Sequence, residues 1–314
     1  MLVVIEKVLV IFLMILVGFV ANKARVLPDS ASGPLSNLML YVTAPCMAMC
    51  SIYDKELSPE IISSTVQVLA GSAVYFAAAT LIGLGVVRIF KFSPKEDFGI
   101  YIAATACVNS GFMGFPVTMA IFGSDIFYLM VMQNIILNIY MYGAVPPVLE
   151  LGHREKPDVK ATLKSMCNIS MLAVIAGIVM LLTGVQPPAM LDEVIVTLSD
   201  VTVPLSMIIV GIRLGSADIG KMFSDRQMVI TNFVSMLVIP LLVFAVTAPL
   251  DFLHDDAKIT LVFAATFPSA MVPVALAEQK KKNSQLMAEI VSLTTFTSLI
   301  TIPVMAMLLM WWYY

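Results

Sequence analysis

Ten apolar runs of membrane-crossing length take up most of this chain and constrain its fold more than any other feature. They fall near residues 2–21, 35–53, 61–87, 98–122, 126–149, 165–185, 194–213, 227–248, 258–277 and 286–310. A helical crossing takes about 20 mostly apolar residues, and each run is too long for a strand. Irregular backbone cannot face lipid. The expected fold class is therefore all-α: a polytopic membrane protein of ten transmembrane helices. Of the 314 residues, 12% are charged, against about 25% in a soluble domain, and the connections are too short to hold one.

The net charge of -3 says nothing about partners by itself. The bilayer is the expected partner and nucleic acid is not. Cys46, Cys50, Cys107 and Cys167 lie in or beside apolar runs without metal-ligand spacing, so they read as packing residues and no metal or other cofactor is expected. The 23 methionines suit gaps between sliding helices, and suit lipid-facing positions equally.

Lysine and arginine placement orients the chain. With alternating connections, one side receives Lys7, Lys55 and Lys258, and the other receives the remaining 15 of the 18 basic residues. That bias makes the second side cytoplasmic and puts both termini outside, in a cell (inner) membrane. Lys23 and Arg25 follow the first run, the reverse of a cleaved signal's order. Trp311, Trp312, Tyr313 and Tyr314 suit an interfacial anchor at the outer surface.

The two halves of the chain resemble each other at an offset of 157 to 159 residues. Val42-Thr43-Ala44-Pro45 matches Val201-Thr202-Val203-Pro204, Gly18 and Pro28 match Gly177 and Pro187, and Pro116-Val117-Thr118-Met119-Ala120 matches Pro273-Val274-Ala275-Leu276-Ala277. This divides the chain into a five-helix repeat over 1–150, a cytoplasmic connection over 151–164 and a second repeat over 165–314. Five is odd, so the repeats enter the membrane from opposite sides. Inverted repeats are a feature of secondary transporters, whose sites lie near the midplane between interrupted helices.

Polar chemistry concentrates in the fourth and ninth runs. Asn109-Ser110-Gly111-Phe112-Met113-Gly114-Phe115-Pro116 puts two glycines and a proline at mid-membrane depth, and Pro268-Ser269-Ala270-Met271-Val272-Pro273 puts two prolines there from the other repeat. Both helices are expected to be broken, with half-helices starting near Pro116 and Pro273 aiming their amide ends at one region. Such ends carry unsatisfied N–H groups and about half a positive charge each, an anion site without lysine or arginine. Asn109, Ser110, Gly111 and Ser269 are the expected substrate-binding positions there, with Pro116, Pro268 and Pro273 shaping the breaks.

Asn134 and Asn138 share a face of the fifth helix, as i,i+4 neighbours do. Interhelical hydrogen bonds explain them as well as substrate contact does. Pro45 and Pro204 are read as interrupting the second and seventh helices, where Thr43 and Thr202 either serve the site or satisfy freed carbonyls. Asp200 is either a residue coupling protonation or a cation to access, or a hydrated carboxylate of an outer vestibule.

At these motifs the chain resembles the auxin efflux carrier family, which includes prokaryotic malate and malonate permeases and plant auxin exporters. The likeness is carried by Leu38-Met39-Leu40-Tyr41-Val42-Thr43-Ala44-Pro45, by Asn109 through Pro116 and by Leu276-Ala277-Glu278-Gln279, and it extends over almost the whole chain. It implies a scaffold of helices one, two, six and seven, a moving transport bundle of helices three to five and eight to ten, and a substrate near the crossing of the two broken helices. The chain departs from the family at Val272, where an asparagine is common.

The expected function is secondary transport of a small organic anion, a mono- or dicarboxylate of malate, malonate or auxin type, by an elevator-like displacement. The coupling ion, proton or sodium, and the oligomeric state, homodimer included, are left open. The alternative is a membrane sensor that binds the same ligand without transport. No paired nucleophile and base is found, so no enzymatic activity is expected.

Overall fold

A computed structural model of the chain describes residues 2–151, 168–216 and 223–314. Most of the expected connection at 151–164, with Cys167 and Lys221, lies outside them. The described residues are helical, and their one extended pairing is an isolated bridge. The elements are α1 (Leu2–Lys23), α2 (Asp29–Tyr53), α3 (Pro59–Ile89), α4 (Phe98–Ala106), α5 (Ser110–Phe122), α6 (Ser124–Gly143), α7 (Ile169–Thr183), α8 (Ala189–Ser216), α9 (Arg226–Thr247), α10 (Asp255–Ala265), α11 (Val272–Gln279) and α12 (Ser284–Tyr313). A short helix, Val145–Leu149, follows α6. Six of these, α2, α3, α6, α8, α9 and α12, are long and apolar enough to cross a bilayer, and the chain is a polytopic membrane protein.

The helix starts are set by local chemistry. Ser58 Oγ accepts the Ile61 amide at 3.2 Å and Pro59 occupies the first turn of α3, where a missing N–H costs nothing. Asn168, Asp225 and Asn283 cap α7, α9 and α12 through side-chain oxygens. Gly184 ends α7 at φ 68°, a left-handed conformation that glycine adopts without strain.

Proline is accommodated in a recurrent way. A π-turn at Met39–Thr43 precedes Pro45, one at Ser110–Gly114 precedes Pro116, and one at Val234–Val238 precedes Pro240. Proline offers no N–H and its ring clashes with the carbonyl four residues back, and a widened turn just before it relieves the misfit. This corrects the expected interruptions of helices two and seven. The helical path of α2 continues through its π-turn, and α8 carries Pro204 inside an unbroken helix.

Packing follows small residues. Along the α1/α8 seam, Gly18 lies against the backbone of Ile208, Gly211 against Ile15 and Phe19, and Gly215 against Asn22, and a Cβ at any of the three would collide. Helices approach this closely in lipid because dispersion, not hydrophobicity, drives their association. α2 packs on both α7 and α8, with Gly177 against Ile52. The other helices pack chiefly among themselves: α3 on α4 and α6, α10 on α3, α6 and α9, and α12 on α9 and α11. α5 bears on both sets, through α1 and α8 on one side and α6 on the other.

The connections sort to two ends. At one end Lys55 pairs with Asp125, Tyr53 Oη donates to Asp192 at 2.5 Å, and Gln67 Nε2 donates to the Phe252 carbonyl at 2.9 Å. At the other, Lys280 pairs with Glu150, and Gln227 exchanges two hydrogen bonds with the Ser93 backbone.

Candidate functional site

The helical path stops after Ala106 and again after Ala265, and the two non-helical stretches meet. The Asn109 amide donates to the Pro268 carbonyl at 2.7 Å, and the Ala270 amide donates to the Cys107 carbonyl at 2.8 Å. Together they make an antiparallel bridge between Val108 and Ser269. Backbone polar groups buried in an apolar protein must be paired, and here each break satisfies the other. Ser269 completes the join. Its hydroxyl donates to the Ala104 carbonyl at 2.6 Å, and its amide donates to Thr294 Oγ1 at 3.1 Å.

A cavity of about 230 Å³ adjoins this crossing. The starts of two half-helices line it, Gly111 and Phe112 from α5 and, at α11, its N-cap Met271 and first residue Val272. Neither start carries a side-chain cap. First-turn amides lack an α-helical acceptor, so both ends turn partial positive charge toward the cavity, with the α11 start contributing less because Pro273 has no N–H and the Val274 amide is bonded to the Met271 carbonyl at 3.0 Å. Asn109 lines the same space, and its side-chain amide makes no hydrogen bond among the described residues.

An amide relay forms the far wall. Asn134 Nδ2 donates to Ser110 Oγ at 3.0 Å, Asn138 Nδ2 donates to Asn134 Oδ1 at 2.8 Å, and Asn168 Nδ2 donates to Asn138 Oδ1 at 3.2 Å. The relay runs from the α5 break through α6 to the cap of α7. Gly111 packs beside it, and a Cβ there would press on Asn134 Nδ2 at 3.3 Å.

The structure thus gathers Asn109, Gly111, Asn134 and Asn138 at one cavity, with Ser110 wholly buried behind its wall. Pro268 and Ser269 belong to the crossing, and Pro273 is the second residue of α11. Pro116 lies inside α5, beyond its π-turn, and the chain unwinds at Cys107–Asn109 instead. The Thr43 and Thr202 hydroxyls are buried without a hydrogen-bond partner among the described residues. Pro45 is buried in α2 and Pro204 is exposed on α8. Asp200 is exposed and faces a separate cavity of about 660 Å³, shared with Asp54, Lys55 and Asp125.

One residue overturns an expectation. Arg213, assigned from the sequence to a cytoplasmic connection, lines the cavity beside the crossing. Helix α8 runs on to Ser216, so Arg213, the last residue of the apolar run, lies within its final turn rather than in a connection. The cavity beside the crossing therefore has one arginine among its lining residues. The apolar Leu214 after Arg213 was the available signal that the helix had not ended. Asn168 was also missed, because its role as a helix cap hides its reach to Asn138.

A helical membrane protein with two helix starts turned toward one cavity, its largely apolar lining interrupted by asparagines and Arg213, has the anatomy of a solute carrier. The family model described as "Membrane transport protein" matches residues 3–306, and the chain belongs to that auxin efflux carrier-like family. Two similar proteins are archaeal. An "Uncharacterized transporter" of Methanothermobacter thermautotrophicus is 25% identical, with 97% of this chain and 98% of that one aligned. Another from Methanocaldococcus jannaschii is 23% identical over the same shares.

Proposed function

We propose that the chain is a secondary transporter of a small organic anion, a mono- or dicarboxylate, bound in the cavity beside the crossing. The observation that carries this reading is the reciprocal pairing of the two breaks, Asn109 with Pro268 and Ala270 with Cys107, which brings both half-helix starts to one space. On this reading α4 with α5, and α10 with α11, are the broken fourth and ninth members of a ten-helix inverted repeat. Backbone amides and asparagines bind the carboxylate.

The packing supports a division of labour. α1, α2, α7 and α8 form a scaffold, and the remaining helices form a bundle that carries the crossing. The cavity lies between the sets, with Tyr41, Asn168 and Arg213 from the first and Asn109, Asn134 and Asn138 from the second. Displacement of the bundle against the scaffold moves the site across the membrane. Both termini lie outside, by the lysine and arginine bias, in the cell (inner) membrane. Asp200, in its own outer cavity, is the proposed coupling residue, with a proton or sodium ion as its partner.

The test is uptake of labelled malonate by proteoliposomes under separately imposed proton, sodium and voltage gradients. A univalent anion gains about 2.3 kcal/mol per 100 mV, so voltage alone is a sufficient drive. Saturable flux responding to a gradient is expected. Binding without flux turns the reading to the membrane sensor, and neither binding nor flux by folded protein contradicts it.

A further inference from the structure

Arg213 is held by a hydroxyl and an aromatic ring. Its Nη2 donates to Ser36 Oγ at 3.1 Å, and that hydroxyl donates to the Ser32 carbonyl at 2.6 Å, which fixes the lone pair offered to the arginine. The guanidinium carbon lies 5.2 Å from the centre of the Phe112 ring, in the first turn of α5. Among the described residues no carboxylate pairs with it.

Arg213 is half-buried, and a ring face supplies a cation with only part of a counter-charge. Guanidinium has five N–H donors, of which Ser36 takes one. The planar fork suits a carboxylate bidentately, and it stands at the wall of the cavity whose other side is formed by helix starts and asparagines. The cavity therefore has two positive centres on different helices. One is the pair of α5 and α11 starts, and the other is Arg213 on α8.

We propose that Arg213 is a specificity-determining residue, which binds a second carboxylate and makes the site prefer an anion with two carboxylates over the same anion with one. This rests on the cavity being the anion site. The Phe112 ring aligns the guanidinium, and Ser36 prevents it from swinging toward the end of α8. A bound dicarboxylate spans the two helix sets, because Arg213 belongs to one and Asn109 to the other.

The test is titration calorimetry of the full chain in lipid nanodiscs with malonate and with monomethyl malonate, probes of nearly equal shape that differ by one charge. Wild-type protein is expected to prefer malonate by about tenfold or more. Arg213→Gln is expected to abolish that preference while leaving monomethyl malonate affinity within about twofold, and Arg213→Lys to keep part of it. A purely structural role for Arg213 would lower both affinities together. Should Arg213→Gln fail to fold, the wild-type protein supplies the readout: malonate should slow phenylglyoxal modification of Arg213, mapped by mass spectrometry, and monomethyl malonate should not. A wild-type ratio that survives in Arg213→Gln, or modification that malonate does not slow, overturns the role of Arg213 alone. Wild-type protein that binds neither probe overturns the anion-site reading and this one with it.

Discussion

The amide of Asn109 and the carbonyl of Pro268, from opposite halves of the chain, are joined at 2.7 Å where two helices have come undone. Each break relieves the other's backbone. The pairing leaves the Asn109 side chain free of structural duty at the cavity wall, and that separation of backbone from side chain allows stability and binding to be tested independently.

Asn109→Ala should therefore weaken anion binding and hardly change stability. Loss of one amide hydrogen bond to a charged ligand is worth about 1.5–3 kcal/mol, a tenfold or larger rise in Kd. Calorimetry on the variant, with its Tm in the same nanodiscs, measures both. Wild-type affinity would remove Asn109 from the site.

Asn134→Ala should do both kinds of damage. It removes the donor to Ser110 and the side-chain acceptor of Asn138, which keeps the Asn134 carbonyl, and the fully buried Ser110 hydroxyl loses its amide partner at about 1–3 kcal/mol. A Tm lowered by several degrees together with weaker binding is expected, and unchanged Tm would mean that the relay is not structural.

Ser269→Ala tests the crossing itself. The Ala104 carbonyl loses its donor in a site that water does not reach, since Ser269 is 2% exposed, and about 1–3 kcal/mol of stability should go with it. Denaturation in detergent, compared with Ser269→Thr, which keeps the hydroxyl, separates loss of the bond from loss of shape.

Gly211→Ala should part α1 from α8, at about 1–3 kcal/mol for overpacking against the Ile15 backbone. Gly85→Ala is the control, because nothing lies within 4 Å of a Cβ there and the helix interior gains about 0.5–1 kcal/mol from the exchange. Equal Tm changes in the two variants would show that the seam is not close-packed.

Asp200→Asn should leave anion affinity within about twofold, because its cavity shares no lining residue with the first. Its effect is expected in the response of flux to imposed proton or sodium gradients. Weakened equilibrium binding without altered gradient dependence would contradict the assignment.

What the sequence made legible was what short-range hydropathy encodes. Run length announced the helices, and Asn109-Ser110-Gly111 in an apolar setting announced the polar crossing. The position of the α4/α5 gap is not legible, because Pro116 is the helix breaker in sequence while the preceding π-turn absorbs that proline and the chain opens at Cys107–Asn109. Pro45 misled for the same reason. Ser269 reads as a ligand donor in sequence, and only tertiary contact with Ala104 and Thr294 shows it bound to the backbone. Arg213 was hidden by the rule that a charge ends a span. A long side chain with an aromatic ring and a hydroxyl to rest on breaks that rule, and neither Phe112 nor Ser36 is near it in sequence.

The central claim is that a small organic anion sits beside the paired breaks, and anomalous scattering from crystals grown with bromomalonate locates one directly. A bromine peak is expected within the cavity bounded by Asn109, Asn134 and Arg213. A peak confined to the outer cavity near Asp200, or none at saturating ligand, would contradict it.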